Sequence, residues 1–261
     1  MIESLPIKHH SLTGRISVTL MHDAFRAVRR NKGKAGVDGG SIEKFARHLE
    51  QNLTALMRDL KQGTYPPRPV RRVMIPKGVG RTRPPDIPTV RERVAQEVPC
   101  RLRSPLFERL FHNDLYGFRS GCSCHMALER VREIHRIGCR HVLDADIFGF
   151  FDQIPHAIIM RALTSVTADG NILKLVERFL CAGVIQDGVV ESPTLGPSQG
   201  GVVSPLLANV ALNFLDWQQD ELGLRFVRYA GQFEAVPLRR AFRYPLHWTA
   251  RSNGAGNPHT G

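Results

Sequence analysis

A chain of 261 residues, 42% of them hydrophobic, is long enough to bury a real core as one domain or two closely packed subdomains. Its 36 Lys/Arg against 24 Asp/Glu give a formal net charge of +12, which points to a polyanionic partner rather than a basic one. No run of about 18 apolar residues exists and the N-terminus lacks the charged-then-apolar layout of a signal peptide, which argues against a membrane span and makes a cytoplasmic protein the expectation.

The charge is unevenly placed. Residues 1–120 hold 23 Lys/Arg against 11 Asp/Glu, whereas residues 121–261 hold 13 of each, so the whole excess lies in the first half. Such a lobe is suited to phosphate contacts whose affinity depends on salt. The five cysteines, Cys100, Cys122, Cys124, Cys139 and Cys181, are odd in number and follow no zinc spacing. They read as reduced thiols.

In chain order, residues 20–28 predict a short helix that ends in the basic run Arg29-Arg30-Asn31-Lys32-Gly33-Lys34. Gly36-Val37-Asp38-Gly39-Gly40 is a turn cluster, and Ser41 then caps a helix to about residue 60. Ile42, Phe45, Leu49, Leu53, Leu56 and Leu60 recur at three- and four-residue spacing and mark its buried stripe. Prolines 66, 67 and 69 end it. Residues 70–75 predict a strand and a second extended run follows Arg83, with the two glycines of residues 76–82 forming a hairpin turn between them. Helical spacing returns at 90–103 and 126–137.

Three segments carry chemistry. Lys77 and Arg83 stand on opposite arms of the hairpin, where two cations can close over an anion such as a triphosphate. In His141-Val142-Leu143-Asp144-Ala145-Asp146, alternation places both carboxylates on one face of a strand, where they repel unless a proton or a cation lies between them. The aromatic run from Phe148 to Phe151 follows. In Ser198-Gln199-Gly200-Gly201-Val202-Val203-Ser204-Pro205, Ser204 reads as an N-cap with Pro205 at the first helical position of a helix to about 222, stopped by Gly223. The glycines before it let the backbone pass close to a bound ligand.

The order of Asn31-Lys-Gly-Lys-Ala-Gly-Val-Asp-Gly39, Ile75-Pro-Lys77, Arg83-Pro84, Tyr116-Gly-Phe-Arg119, Asp146-Ile-Phe-Gly-Phe-Phe-Asp152 and Gln199-Gly-Gly-Val-Val-Ser-Pro-Leu-Leu-Ala-Asn209 resembles the reverse transcriptases encoded by bacterial group II introns, over roughly residues 20–230. That resemblance implies an α+β right-hand polymerase, with basic fingers and an antiparallel palm sheet backed by helices. It implies two Mg2+ ions that clamp the attacking hydroxyl and the triphosphate. By position Asp146 matches the carboxylate that binds both ions, and the Ile147 carbonyl adds a ligand. Lys77 and Arg83 match triphosphate-binding residues, Phe151 the aromatic that selects deoxynucleotides, Gln199 a contact to the incoming nucleotide, and Arg119 a residue lining the template path. The implied partners are an RNA template or intron RNA, a DNA primer and deoxynucleoside triphosphates.

The departures from that pattern are as informative. The family has Tyr-Ala-Asp-Asp where this chain has Tyr229-Ala230-Gly231-Gln232. Neither a hydrogen nor a neutral amide balances a dication as a carboxylate does. Polymerisation is therefore expected to fail, leaving RNA binding as the alternative role. Pro85-Asp86 stands where the family usually has Leu-Gly and is expected to stiffen the fingers hairpin; Ser120-Gly-Cys-Ser-Cys124 replaces a Pro-Gly-Arg-Ser run. The expected organisation is an N-terminal arm (1–19), basic fingers (20–120), an incomplete palm (121–230), an aberrant disordered tail (231–261) and no thumb.

Overall fold

The computed structural model describes residues 11–76, 82–83, 85–138, 143–146, 151, 153–186, 188–191 and 195–236. In chain order its elements are α1 (Val18–Asn31), α2 (Ile42–Ala46), α3 (Leu49–Gln62), β1 (Val70–Arg72), β2 (Ile75–Pro76), β3 (Thr82–Arg83), β4 (Asp86–Ile87), α4 (Val90–Phe107), α5 (Cys124–Arg136) and β5 (Leu143–Asp146). There follow α6 (His156–Val166), α7 (Gly170–Leu180), β6 (Val184–Gln186), β7 (Val189–Glu191), α8 (Ser204–Glu221), β8 (Arg225–Tyr229) and β9 (Gln232–Val236). No helix among the described residues is long and apolar enough to cross a membrane.

By compactness the chain divides into two units, residues 1–110 with 151–211, and residues 111–150 with 212–261. Neither unit is a single stretch of sequence, since residues 151–211, after the Asp146 strand, group with the N-terminal residues.

The core of the first unit is helical. The Ser17 hydroxyl accepts the Leu20 amide and starts α1, which buries Met21, Ala24, Phe25 and Val28. Val94, Ala95 and Val98 of α4 and Leu53, Leu56 and Leu60 of α3 join the same cluster. Ser41 caps its helix as expected, accepting from Lys44. The single helix expected from residue 41 to 60 is, however, broken at Arg47 and His48. The Asn52 side-chain amide donates to the Phe45 carbonyl at 2.9 Å, so that end of α2 has a partner without helix continuing through it. Gly63, with φ of 66°, closes α3 in the left-handed conformation.

The strand expected over 70–75 is two strands in different sheets. β1 lies between β4 (antiparallel) and β6 (parallel) in the order β4-β1-β6-β7, while β2 and β3 pair alone as the expected hairpin, Ile75 opposite Arg83. The Pro85-Asp86 departure places a carboxylate inside this sheet. Asp86 is buried in β4 and accepts two bonds from the Arg72 guanidinium, at 2.9 and 3.2 Å.

The second unit is an antiparallel sheet, β5-β9-β8, with α5 against β8. Ala127 and Ile134 of α5 bury against Val227, which matches the expected antiparallel sheet backed by a helix. The expectation of an irregular tail from residue 231 is corrected for its first residues. Residues 232–236 form the central strand β9, paired on both sides, because Gln-Phe-Glu-Ala-Val alternates polar and apolar as a strand does. Residues 237–261 lie outside the described residues.

Candidate functional site

In β5 the alternation of side chains assigns Asp144 and Asp146 to one face of the sheet. Register then sets Glu234 opposite Asp144 and Gln232 opposite Asp146, and directly opposed residues share a face. The position across from the expected metal-binding aspartate is therefore held by an amide. Asp144 is exposed.

Gln232 begins β9 immediately after the turn Ala230-Gly231, closed by the pair Tyr229–Gln232. Ala230 carries a φ of 60°, at the central turn position where hairpins favour glycine. Its neighbours fix that conformation. Arg228 is fully buried, and its fork meets the Asp216 carboxylate at 2.7 and 2.6 Å. Nη1 of the same guanidinium donates to the Ala230 carbonyl at 3.2 Å. The Arg228 backbone donates to the Asp114 carbonyl and accepts from the Tyr116 amide, both at 2.9 Å. Asp114 is in turn held by Arg130 at 2.7 and 3.3 Å. A Cβ on Gly117 would collide with the Ala230 backbone, so the glycine of Tyr116-Gly-Phe-Arg119 lets this segment lie against the turn.

Arg119, expected along a template path, is half-buried. Its Nη1 donates to the carbonyls of His112 (2.8 Å) and Leu115 (3.2 Å), and its guanidinium lies 5.9 Å from the Phe111 ring centroid. These contacts brace its own loop.

Of the remaining candidates, Arg83, Phe151 and Gln199 belong to the first unit. Phe151 is half-buried and Arg83 occupies β3, while Lys77 and the Ile147 carbonyl lie outside the described residues. Gln199 is half-buried, and its carbonyl accepts the Asp86 amide at 2.5 Å. Gly200 has a φ of 113°, and a side chain there would run into the Asp86 carbonyl. The close approach expected of these glycines is thus made to the protein's own β4. Nor does Ser204 act as the expected cap: it opens α8, and its hydroxyl donates to the Ser198 carbonyl at 2.7 Å. The segment before α8 is held from another helix, where the buried Gln96 side chain of α4 accepts the Val202 amide at 2.7 Å. Sequence reasoning missed Gln96, as it missed Arg228 and Asp216. For Arg228 the signal was a cation in the middle of an apolar strand.

Among the described residues no group of three or more His, Cys, Asp or Glu could hold a metal ion. With Gln232 at the register position across from Asp146 and Gly231 in the turn, the donor set does not fit a pair of magnesium ions. The cavity between residues 64–69 and 178–183, about 490 Å³, includes none of the candidate residues.

A family model described as "Reverse transcriptase (RNA-dependent DNA polymerase)" matches residues 75–231. The chain belongs to the reverse transcriptase family. This reverse transcriptase is 35% identical over 201 residues to Protein YkfC of Escherichia coli (strain K12), covering 74% of this chain and 52% of that protein. It is 32% identical over 208 residues to the group II intron-encoded protein LtrA of Lactococcus lactis subsp. cremoris, covering 78% of this chain and 34% of LtrA. To the putative COX1/OXI3 intron 1 protein of Saccharomyces cerevisiae it is 31% identical over 202 residues, with 76% and 24% covered. The chain thus spans about half or less of the length of these curated relatives. A solved structure, "Partial Cas6-RT-Cas1--Cas2 complex", superposes with a TM-score of 0.55 over 90% of this reverse transcriptase and 41% of that chain, at 18% identity, a likeness of fold alone.

Proposed function

We propose that this chain is the reverse transcriptase domain of a group II intron-type protein in a form that no longer polymerises DNA. The observation that carries the reading is the pairing of Asp146 with Gln232. Two-metal nucleotidyl transfer needs carboxylates on both strands to fix the ions, and metal placement supplies much of the rate. Here one strand offers Asp146, and the other sets an amide directly across from it, with Glu234 two residues further along, opposite Asp144. No step through magnesium follows from such a donor set. The residues with binding roles in the family pattern remain: Lys77 and Arg83 for a triphosphate, Phe151 for a deoxyribose, Gln199 for an incoming nucleotide and Arg119 for a template. The partners in this reading are an RNA template or intron RNA, a DNA primer and deoxynucleoside triphosphates.

Primer extension on an RNA template with magnesium tests it, and product at the no-enzyme background is expected. Extension by the unaltered chain that Asp146→Ala abolishes would overturn the proposal and require a second carboxylate elsewhere, with Glu234 and Asp152 the first to exchange.

A second reading, retention of RNA binding without chemistry, is favoured by the charge distribution, which puts all twelve excess positive charges in residues 1–120. It predicts affinity for structured RNA that falls steeply with salt.

A further inference from the structure

The run Arg29-Arg30-Asn31-Lys32-Gly33-Lys34 is the densest cationic segment outside the sites above, and the fold treats it unusually. α1 ends at Asn31 and Lys32 takes a φ of 54°, its amide bonded to the Arg29 carbonyl at 3.2 Å. The next residues are pinned from beneath. Arg93 of α4, itself buried, donates Nη1 to the Lys32 carbonyl at 3.0 Å, Nη2 to the Lys34 carbonyl and Nε to the Pro88 carbonyl at 3.2 Å. Arg71 donates to the Ala35 carbonyl at 3.0 Å. Gly33 has a φ of 115°, and a Cβ there would stand 2.6 Å from Arg93 Nη1; one on Gly36 would stand 2.7 Å from the Thr89 amide nitrogen. Glycine is thus required at both positions to bring the loop down onto α4 and its approach.

The electrostatic result is one-sided. The carbonyls of residues 32, 34 and 35, which would repel an anion, are each bonded to a guanidinium. Arg29, Arg30, Lys32 and Lys34 are all exposed. No acidic residue occurs between Asp23 and Asp38, and among the described residues none of the four cations forms an ion pair. Four exposed cations are therefore carried on the last turn of α1 and the loop after it, whose backbone is already ordered, which lowers the entropic cost of engaging a ligand.

We infer that the Arg29–Lys34 segment, the end of α1 and the loop after it, is a preformed contact for the phosphates of an RNA strand, with Arg93 its positioning residue. This rests on the proposed family role and assigns the RNA contact to named residues. Evenly spaced phosphates suit point charges at fixed separation, and the contact carries no base readout, so binding through it is independent of sequence. A membrane surface is a poorer match, because the apolar stripe of α1 is spent on the core and leaves no face to insert beside the cations.

The test uses the full chain and a fluorescein-labelled RNA of about 20 nucleotides and mixed sequence, with Kd measured by anisotropy from about 50 to about 200 mM KCl. Lys32→Gln/Lys34→Gln removes two exposed charges that hold no internal contact of their own side chains. Each single-strand phosphate contact contributes about 0.7 to the slope of log K against log salt, so the pair should lower the slope by about 1.4. The variant would then lose about sevenfold less affinity than the parent over that range. Lys44→Gln/Arg47→Gln, an equal loss of exposed charge elsewhere in the unit, should keep the parental slope. Equal loss in both pairs would show diffuse charge and overturn the assignment, as would a loop variant with the parental slope. A parent that binds no RNA at the lowest salt would overturn the RNA-binding reading as well, so the two failures are distinguishable.

Discussion

Asp169 ties the start of the described chain to α7, and Asp169→Ala should be among the most costly single changes in the first unit. The carboxylate accepts the Thr13 amide at 2.6 Å and the Thr13 hydroxyl at 2.7 Å, across 156 residues of sequence. It also caps α7 by accepting the amides of Asn171 (3.1 Å) and Ile172 (3.2 Å). Loss of an N-cap costs about 1 kcal/mol, and bonds to a charged acceptor contribute about 1.5–3 kcal/mol each, not additively. Together a loss of about 3 kcal/mol is expected, a large share of the roughly 5–15 kcal/mol that holds a domain folded. With an m-value of about 3 kcal/mol/M, the urea midpoint should fall by about 1 M. Burial alone would raise this carboxyl, but the bonds from Thr13, Ile172 and Asn171 hold it below its ordinary value. A depressed folded-state value means stability present above the unfolded-state value and lost as pH falls through the folded one. The gap between parent and Asp169→Asn should therefore hold near pH 6 and narrow below about pH 4. A midpoint shift under about 0.3 M urea, or a gap that widens with acid, would refute the reasoning.

Two further changes probe buried cations with opposite expected signs. Arg228→Met strands the Asp216 carboxylate in the second unit and should cost about 3–5 kcal/mol in urea unfolding, with Arg228→Met/Asp216→Leu recovering at least half; equal losses in the single and double variants would deny the pair its role. Arg103 of α4 is 1% exposed, none of its guanidinium nitrogens has a hydrogen-bond partner among the described residues, and burial, only partly offset by the nearby Asp169 carboxylate, pushes its pKa down to about 10. Arg103→Met should raise stability by about 1–3 kcal/mol, read as a higher melting temperature, and a lower one would mean that the guanidinium has an anionic partner.

Much of the local structure could be read from the sequence because the signals were themselves local. Ser41 announced its helix, Gly223 (φ 72°) ended α8 where expected, and the glycines of residues 76–82 implied the β2–β3 hairpin. Positions of contact were less legible. The stripe from Ile42 to Leu60 keeps its spacing through the break at Arg47 and His48, since the partner that permits the break is a side chain seven residues from the carbonyl it bonds. Arg93 had no readable signature either: its partners are backbone carbonyls, which every residue has, 59 and 61 positions away. Gly200 lies close against the Asp86 carbonyl, and nothing in Gln-Gly-Gly distinguishes a ligand from the chain's own Asp86.

The turn at Ala230 shows why, in the proposed reading, loss of the metal site need not be a loss of the sheet. The contacts that shape the hairpin come from Arg228, Asp216, Tyr116 and Gly117, none of which is among the positions that depart from the family motif. Replacing two carboxylates by Gly231 and Gln232 also removes like-charge repulsion beside Asp146, a cost that an intact site offsets only when cations are bound. The strand that follows needs only alternation to pair, and Gln232 to Val236 supplies it on both edges. Metal binding and sheet formation thus draw on different residues of the same hairpin. A chain that has exchanged the first set can keep the second, and with it the basic unit that α1, α3 and α4 build.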